Sequence, residues 1–193
     1  MVRKLVVATG NPGKLKEIQE YLTSLPWELE LKPAEIDVEE TGTTFIANAR
    51  LKASEVAKAV GKWAIADDSG LAVDALGGAP GLYSSRYGKI DEDRINRLLR
   101  ELGDADNRQA KFICAIAIAN PQGTIVLETE GICPGEILDS PRGNGGFGYD
   151  PIFYLPWQQQ TFAEMSPETK SRVSHRGVAF ARLMPDLQKI SLA

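Results

Sequence analysis

Two adjacent carboxylates, Asp67 and Asp68, follow the short apolar run Trp63-Ala64-Ile65-Ala66 and precede Ser69-Gly70 and a stretch rich in Gly, Ala and Pro. Two such charges repel. One directed inward is disfavoured unless a metal ion, a lysine or a proton compensates it. The carboxyl end of a strand is where open α/β sheets place ligand-handling residues. Two carboxylates there suit magnesium, which takes one or two of them plus water and substrate phosphates. The alternative is an acidic turn, for which Asp-Ser-Gly is ordinary. The long Gly/Pro stretch behind the pair favours function, because structureless loops of that length are uncommon in compact domains.

Three further stretches could carry chemistry. In 8–17, a buried strand breaks into Thr9-Gly10-Asn11-Pro12-Gly13-Lys14 and enters a helix. Exposed N–H groups at a helix start, small residues and a first-turn lysine form an anion site; a tight turn with a surface lysine is the other reading. A Walker loop is excluded. Only Asn11 and Pro12 separate Gly10 from Gly13-Lys14, and Leu15 follows the lysine where Ser or Thr is needed. In 37–55, Glu39 and Glu40 precede a helix whose Asn48 and Lys52, four residues apart, share one face; a solvated helix face would look the same. In 143–156, glycines surround Phe147 and Tyr149, with Gly148 between them and Asp150 after them. Such an aromatic face can stack on a nucleobase. Lys170, His175 and Arg176 add donors, although a lone histidine is more often structural.

The elements that must position these residues are legible. Residues 4–9, 27–31 and 63–67 read as strands and 11–25 as a helix with Leu15, Ile18, Leu22 and Leu25 on one face. Thr43 or Thr44 would cap a helix through Val60, and Asp91 one over 90–103 stopped by Gly103. Residues 110–119 and 124–133 flank Asn120-Pro121-Gln122-Gly123, a hairpin signal. Residues 151–155 form a short strand, and 166–183 a helix that Pro185 ends or kinks. Helices alternating with strands early, and a central hairpin, predict an α/β fold with a mixed sheet.

Bulk properties bound the function. The 193 residues suit one domain or one domain with two lobes, and 43% apolar with 25% charged residues is ordinary for a soluble globular chain. A net charge of −4 argues against sequence-independent nucleic-acid binding. No run approaches the roughly 18 apolar residues of a membrane span, and a secretory signal is not expected at the N-terminus. Cys114 and Cys133 lie far apart, as reduced cytosolic thiols would. One histidine nearly excludes a His-rich zinc site.

Together these stretches resemble the inosine triphosphate pyrophosphatase family. The matching residues are Thr9-Gly10-Asn11 with Lys14, Glu39-Glu40-Thr41-Gly42, Phe45 to Lys52, Ala66 to Leu71, Gly77 to Tyr87, Gly146 to Phe153 and Ser174-His175-Arg176, in order over nearly the whole chain. The resemblance implies an α/β fold with an elongated mixed β-sheet, flanking helices and two lobes around a central cleft. It also implies a cytoplasmic homodimer and magnesium-dependent hydrolysis of deaminated purine nucleoside triphosphates (ITP, dITP, XTP) to the monophosphate and pyrophosphate. On this resemblance Thr9, Gly10, Asn11, Pro12, Gly13, Lys14 and Lys52 hold the triphosphate, joined by Ser69. Glu40 and Asp68 hold magnesium, and Asp68 is the general base. Phe147 stacks on the base, with Gly148, Tyr149, Asp150, Lys170, His175 and Arg176 around it; donors from His175 and Arg176 favour a 6-oxo purine. The rival enzyme is a phosphatase releasing orthophosphate from a nucleotide or sugar phosphate.

Overall fold

Seven strands form one sheet in the computed structural model, which describes residues 3–192. They are β1 (Arg3–Val7), β2 (Trp27–Leu31), β3 (Trp63–Val73), β4 (Gln109–Ala119), β5 (Ile125–Ile137), β6 (Phe153–Leu155) and β7 (Gln160–Thr161), in the spatial order β2-β1-β3-β4-β5-β6-β7. β1 pairs in parallel with β2 and β3, whereas β6 pairs antiparallel with β5 and β7, so the sheet is mixed as expected. The helices are α1 (Pro12–Leu22), α2 (Phe45–Val60), α3 (Asp91–Leu102), α4 (Pro167–Val173) and α5 (His175–Leu192). None is long and apolar enough to cross a membrane.

The chain divides into two compact units. The first comprises Met1–Asp68, Cys114–Gly131 and Arg176–Ala193. Its strands alternate in composition, because successive side chains on a strand point to opposite faces. Leu5, Val7, Ile65, Cys114, Ile116 and Ile118 pack with Ile18 and Leu22 of α1 and Phe180, Leu183 and Leu187 of α5. Val6, Ala8, Ala64, Ala66, Ala115, Ala117 and Ala119 pack with Ala49, Ala53, Val56 and Ala57 of α2. Small residues on both sides let α2 sit close to the strands. Thr44 caps α2, its side chain accepting from the Ala47 N–H at 3.2 Å, and Gly61 ends it at φ +65°.

The second unit comprises Ser69–Ile113 and Ile132–His175. Its core gathers Phe112, Phe153 and Phe162 with Ile95, Leu98 and Leu102 of α3. Edge contact between Phe112 and Phe153, with ring centroids 4.7 Å apart, is the arrangement aromatic quadrupoles favour.

The elements differ from expectation at five places. β3 does not end at Asp67 but runs on to Val73. The Gly/Pro stretch behind it is not structureless: it holds two short 3₁₀ turns, Asp74–Leu76 and Gly81–Arg86, tied back where the Ser84 hydroxyl accepts from the Leu71 N–H at 2.9 Å. The C-terminal helical pattern is two helices, split at Ser174, whose ψ of 160° is extended. Pro185 lies inside α5; burial of Leu183 and Leu187 on either side carries the helix past the bond the ring removes. Asp91 is the first residue of α3 rather than its cap. The Asp93 carboxylate instead accepts from the Ile90 N–H at 3.3 Å.

Candidate active site

The continuation of β3 explains the two adjacent carboxylates. Asp67 follows the parity of Ile65 and faces α1 and α5; Asp68 follows Ala64 and Ala66 and faces α2. Backbone alternation therefore divides the like charges between two sides of the sheet. Each side supplies its own cations.

On the α2 side, Asp68 Oδ1 lies 3.0 Å from Lys52 Nζ, and Asp68 Oδ2 accepts from Asn48 Nδ2 at 3.1 Å. Lys52 Nζ also reaches Glu40 Oε1 at 2.8 Å. Asn48 accepts in turn from the Gly42 N–H at 2.8 Å, which anchors the segment carrying Glu40. A Cβ on Gly42 would stand 2.6 Å from Asn48 Oδ1, so that close approach requires glycine. Burial pushes the Asp68 carboxyl above the ordinary carboxylate range; Lys52 and Lys14 pull against this and Glu40 adds to it. For Lys52, burial works against the charge, and Asp68, Asp67 and Glu40 together keep its ammonium more firmly protonated than usual.

On the α1 and α5 side, Asp67 is buried between two cations. Its Oδ1 lies 3.0 Å from Lys14 Nζ, and its Oδ2 accepts from Arg176 Nη2 at 2.7 Å and Nε at 3.1 Å. Arg176 is itself fully buried and also binds Glu17 of α1. The Cys114 thiol sits 3.7 Å from Asp67 Oδ2. Burial alone would raise Asp67; Lys14, Arg176 and Lys52 outweigh it and hold the carboxyl well below the usual range.

The loop before α1 differs from an open amide cradle. Asn11 caps the helix, its Oδ1 accepting from the Gly13 and Lys14 N–H groups at 2.9 and 3.2 Å. The Asn11 N–H donates to Thr9 Oγ1 at 3.1 Å, and Pro12 has no N–H. What the loop offers an anion is chiefly the Lys14 ammonium and the room beside Gly10, where a Cβ would meet nothing within 4 Å.

In the second unit, Lys170 Nζ lies 2.6 Å from Asp150 Oδ2 and 4.8 Å from the centroid of the half-buried Phe147 ring. Asp150 Oδ2 also accepts from the Phe147 N–H at 2.9 Å. Tyr149 is buried, its hydroxyl donating to the Ser84 carbonyl at 2.9 Å. His175 is buried and stacks on Phe112 with centroids 4.6 Å apart. Ser69 is half-buried on β3.

The Ham1 family profile matches residues 5–186. The chain belongs to the Ham1 family. Similar curated proteins include a dITP/XTP pyrophosphatase of a Nostoc species, 66% identical over 97% of this chain and 95% of the relative. Another is a dITP/XTP pyrophosphatase of a Synechocystis species, 64% identical over 93% of each. Among solved structures, a HAM1 protein from Coxiella burnetii superposes with a TM-score of 0.88 at 42% identity, covering 97% of this chain and 99% of that one. A nucleoside-triphosphatase / dITP/XTP pyrophosphatase from Mycobacterium abscessus does so with a TM-score of 0.74 at 42% identity, covering 95% and 99%.

Within this Ham1 chain the site residues expected from sequence fall into two groups. Lys14, Glu40, Lys52 and Asp68 stand with Arg176 in the first unit; Phe147, Gly148, Tyr149, Asp150, Lys170 and His175 stand in the second. The adjacent His175 and Arg176 are thereby separated. The histidine lies among aromatic rings, and the guanidinium is committed to Asp67 and Glu17. Sequence reasoning named Asn48 only as a helix-face residue and did not name Glu17. The signals were present, since Asn48 is four residues before Lys52 and Glu17 three after Lys14, spacings that align side chains on a helix.

Proposed function

We propose that this chain hydrolyses the deaminated purine nucleoside triphosphates ITP, dITP and XTP to the monophosphate and pyrophosphate, in a magnesium-dependent reaction. The observation that carries the reading is Asp68. It is a buried carboxylate oriented by Asn48 and Lys52, with Glu40 converging on the same ammonium. The names of its close relatives support the substrate class.

Among the described residues no three His, Cys, Asp or Glu side chains form a closed metal cage. Magnesium does not need one; two carboxylates, Glu40 and Asp68, fit its habit of completing its shell with water and phosphate. When bound, the ion offsets the charge of the triphosphate. Lys14 and Lys52 hold the phosphate oxygens and stabilise negative charge that grows in the transition state. Asp68 takes a proton from the water whose oxygen bonds to the α-phosphorus. The bond from that phosphorus to the bridging oxygen breaks, and pyrophosphate leaves with its electron pair. Phe147 stacks on the base, and His175 supplies a donor for the 6-oxo group that adenine cannot accept. A site built on such a bond rejects the mismatched base strongly. Arg176 braces Asp67 and, through it, Lys14.

The reading places the enzyme in the cytoplasm as a homodimer. Both cysteines are buried free thiols, as a reducing compartment allows; sedimentation of the purified protein checks the dimer.

The test is incubation with magnesium and, separately, ITP, XTP, GTP and ATP, with pyrophosphate and orthophosphate both quantified. Pyrophosphate from ITP and XTP, with little from ATP, is expected. Orthophosphate as the product would replace this reading with a phosphatase. His175→Ala is expected to lower the ITP/ATP ratio of kcat/KM by about tenfold or more while slowing ITP turnover less; an unchanged ratio would remove His175 from base selection.

A further inference from the structure

We infer that Asp91, at the start of α3, is a positioning residue for the Phe147 platform; the inference rests on the reading of Phe147 as the surface on which the base stacks. The segment that carries Phe147 is poor in restraints of its own. Gly146 and Gly148 adopt φ of +73° and +64°, a left-handed backbone that favours glycine. Neither position offers a side chain as an anchor, so hydrogen bonds at the neighbouring amides hold the loop; before the ring, the Gly145 N–H donates to the Ala163 carbonyl at 3.0 Å.

At and after the ring, two consecutive amides are each held by a carboxylate. The Phe147 N–H donates to Asp150 Oδ2 at 2.9 Å and the Gly148 N–H to Asp91 Oδ2 at 2.7 Å. The two acceptors differ in kind. Asp150 belongs to the same loop and is itself held by Lys170 of α4 at 2.6 Å. Asp91 lies 57 residues earlier, on a helix whose Ile95, Leu98 and Leu102 are buried in the core of the second unit. Asp91 therefore ties the loop to a rigid element. Its own orientation is fixed by Arg94, whose Nη1 reaches Asp91 Oδ1 at 2.5 Å and whose Nε donates to the Gly88 carbonyl at 3.2 Å. Gly88 must be glycine for that turn, since a Cβ would stand 2.7 Å from the Arg94 amide nitrogen.

Farther along the loop, the Tyr149 hydroxyl on the Ser84 carbonyl makes a second anchor. Immediately before these two anchors the Phe147 ring lies where Lys170 Nζ meets it, 4.8 Å from the centroid. Loss of the Asp91 bond would free the Gly148 peptide to rotate, and the ring would sample positions in which stacking is lost. Hydrogen bonds to a charged acceptor are roughly twice as strong as neutral ones. The effect falls on substrate capture, because Asp91 touches no group assigned to the reacting phosphate.

The experiment compares Asp91→Ala, Asp91→Asn and Phe147→Ala with the full-length wild-type protein, using ITP and magnesium. Asp91→Ala is expected to raise KM for ITP about tenfold with kcat changed by no more than about twofold. Asp91→Asn keeps an oxygen acceptor for the Gly148 N–H and is expected to recover most of the wild-type KM. In ¹H–¹⁵N spectra the Gly148 amide resonance is expected to shift and its exchange with solvent to quicken in Asp91→Ala but not in Asp91→Asn. A wild-type KM in Asp91→Ala, with KM raised in Phe147→Ala, overturns the role of Asp91 alone. A wild-type KM in Phe147→Ala overturns the stacking platform and this inference with it. Equal losses of kcat, kcat/KM and thermal stability in both Asp91 variants would assign Asp91 to the fold and not to the site.

Discussion

Asp68→Asn is expected to cut kcat for ITP about a thousandfold while leaving the protein folded and able to bind nucleotide. General-base catalysis by a positioned side chain is worth on the order of 10²- to 10⁴-fold, and no other described carboxylate shares both Lys52 and Asn48 with Asp68. Asparagine has nearly the same shape. Its oxygen can still accept from Lys52, which keeps Glu40 at 2.8 Å, although its amide nitrogen then faces the Asn48 donor and that one hydrogen bond is lost. Burial already works against the Asp68 charge, so removing that charge does not take away a strong stabiliser. Circular dichroism should match wild type, Tm should fall by only about 2–4 °C for the one lost hydrogen bond, and calorimetry should still register ITP binding. Turnover within about tenfold of wild type would take the base role from Asp68.

Asp67→Asn should have the opposite signature, a loss of stability before a loss of chemistry. Arg176 is fully buried, and Asp67 Oδ2 accepts from two of its nitrogens. Removing one partner of a buried ion pair costs about 3–5 kcal/mol, because a desolvated charge is left behind. Glu17 remains on Arg176, which places the expected loss near the low end, at about 3 kcal/mol. At roughly 2–4 °C per kcal/mol for a chain of this size, Tm should fall by about 6–12 °C. The urea midpoint should fall with an unchanged slope. Lys14 also loses the negative charge it meets at 3.0 Å, so KM for ITP should change alongside. A stability loss below about 1 kcal/mol would mean that Glu17 alone satisfies Arg176.

These two neighbours were one feature in the sequence and are two in the fold. Composition and periodicity located the strands and helices that carry them. The apolar β-branched run 4–9, the leucines of α1 and the alternation of 27–31 each report a local preference, and such preferences survive folding when core burial agrees with them. Where a tertiary partner decided, the local reading stopped short. The pattern "DSG" is ordinary in turns, but pairing with neighbouring strands and burial of Leu71 and Val73 carry β3 through it. Pro185 disrupts helices locally, but Leu183 and Leu187 keep α5 intact.

The same division runs through the site. Sequence alone determined the chemical inventory: which carboxylates, lysines and aromatics exist, their spacing along helices, and a family resemblance spanning most of the chain. Local spacing was enough to align Asn48 with Lys52, because an α-helix fixes that geometry within a turn. Only the tertiary structure decided which charge meets which. The parity of one extended strand sends Asp67 to Lys14 and Arg176 and sends Asp68 to Lys52 and Asn48. Partners such as Arg176 and Asp67 are separated by 109 residues, and no local preference encodes their meeting. Their pairing follows from which helices the sheet's two faces bury, and that is settled when the core packs.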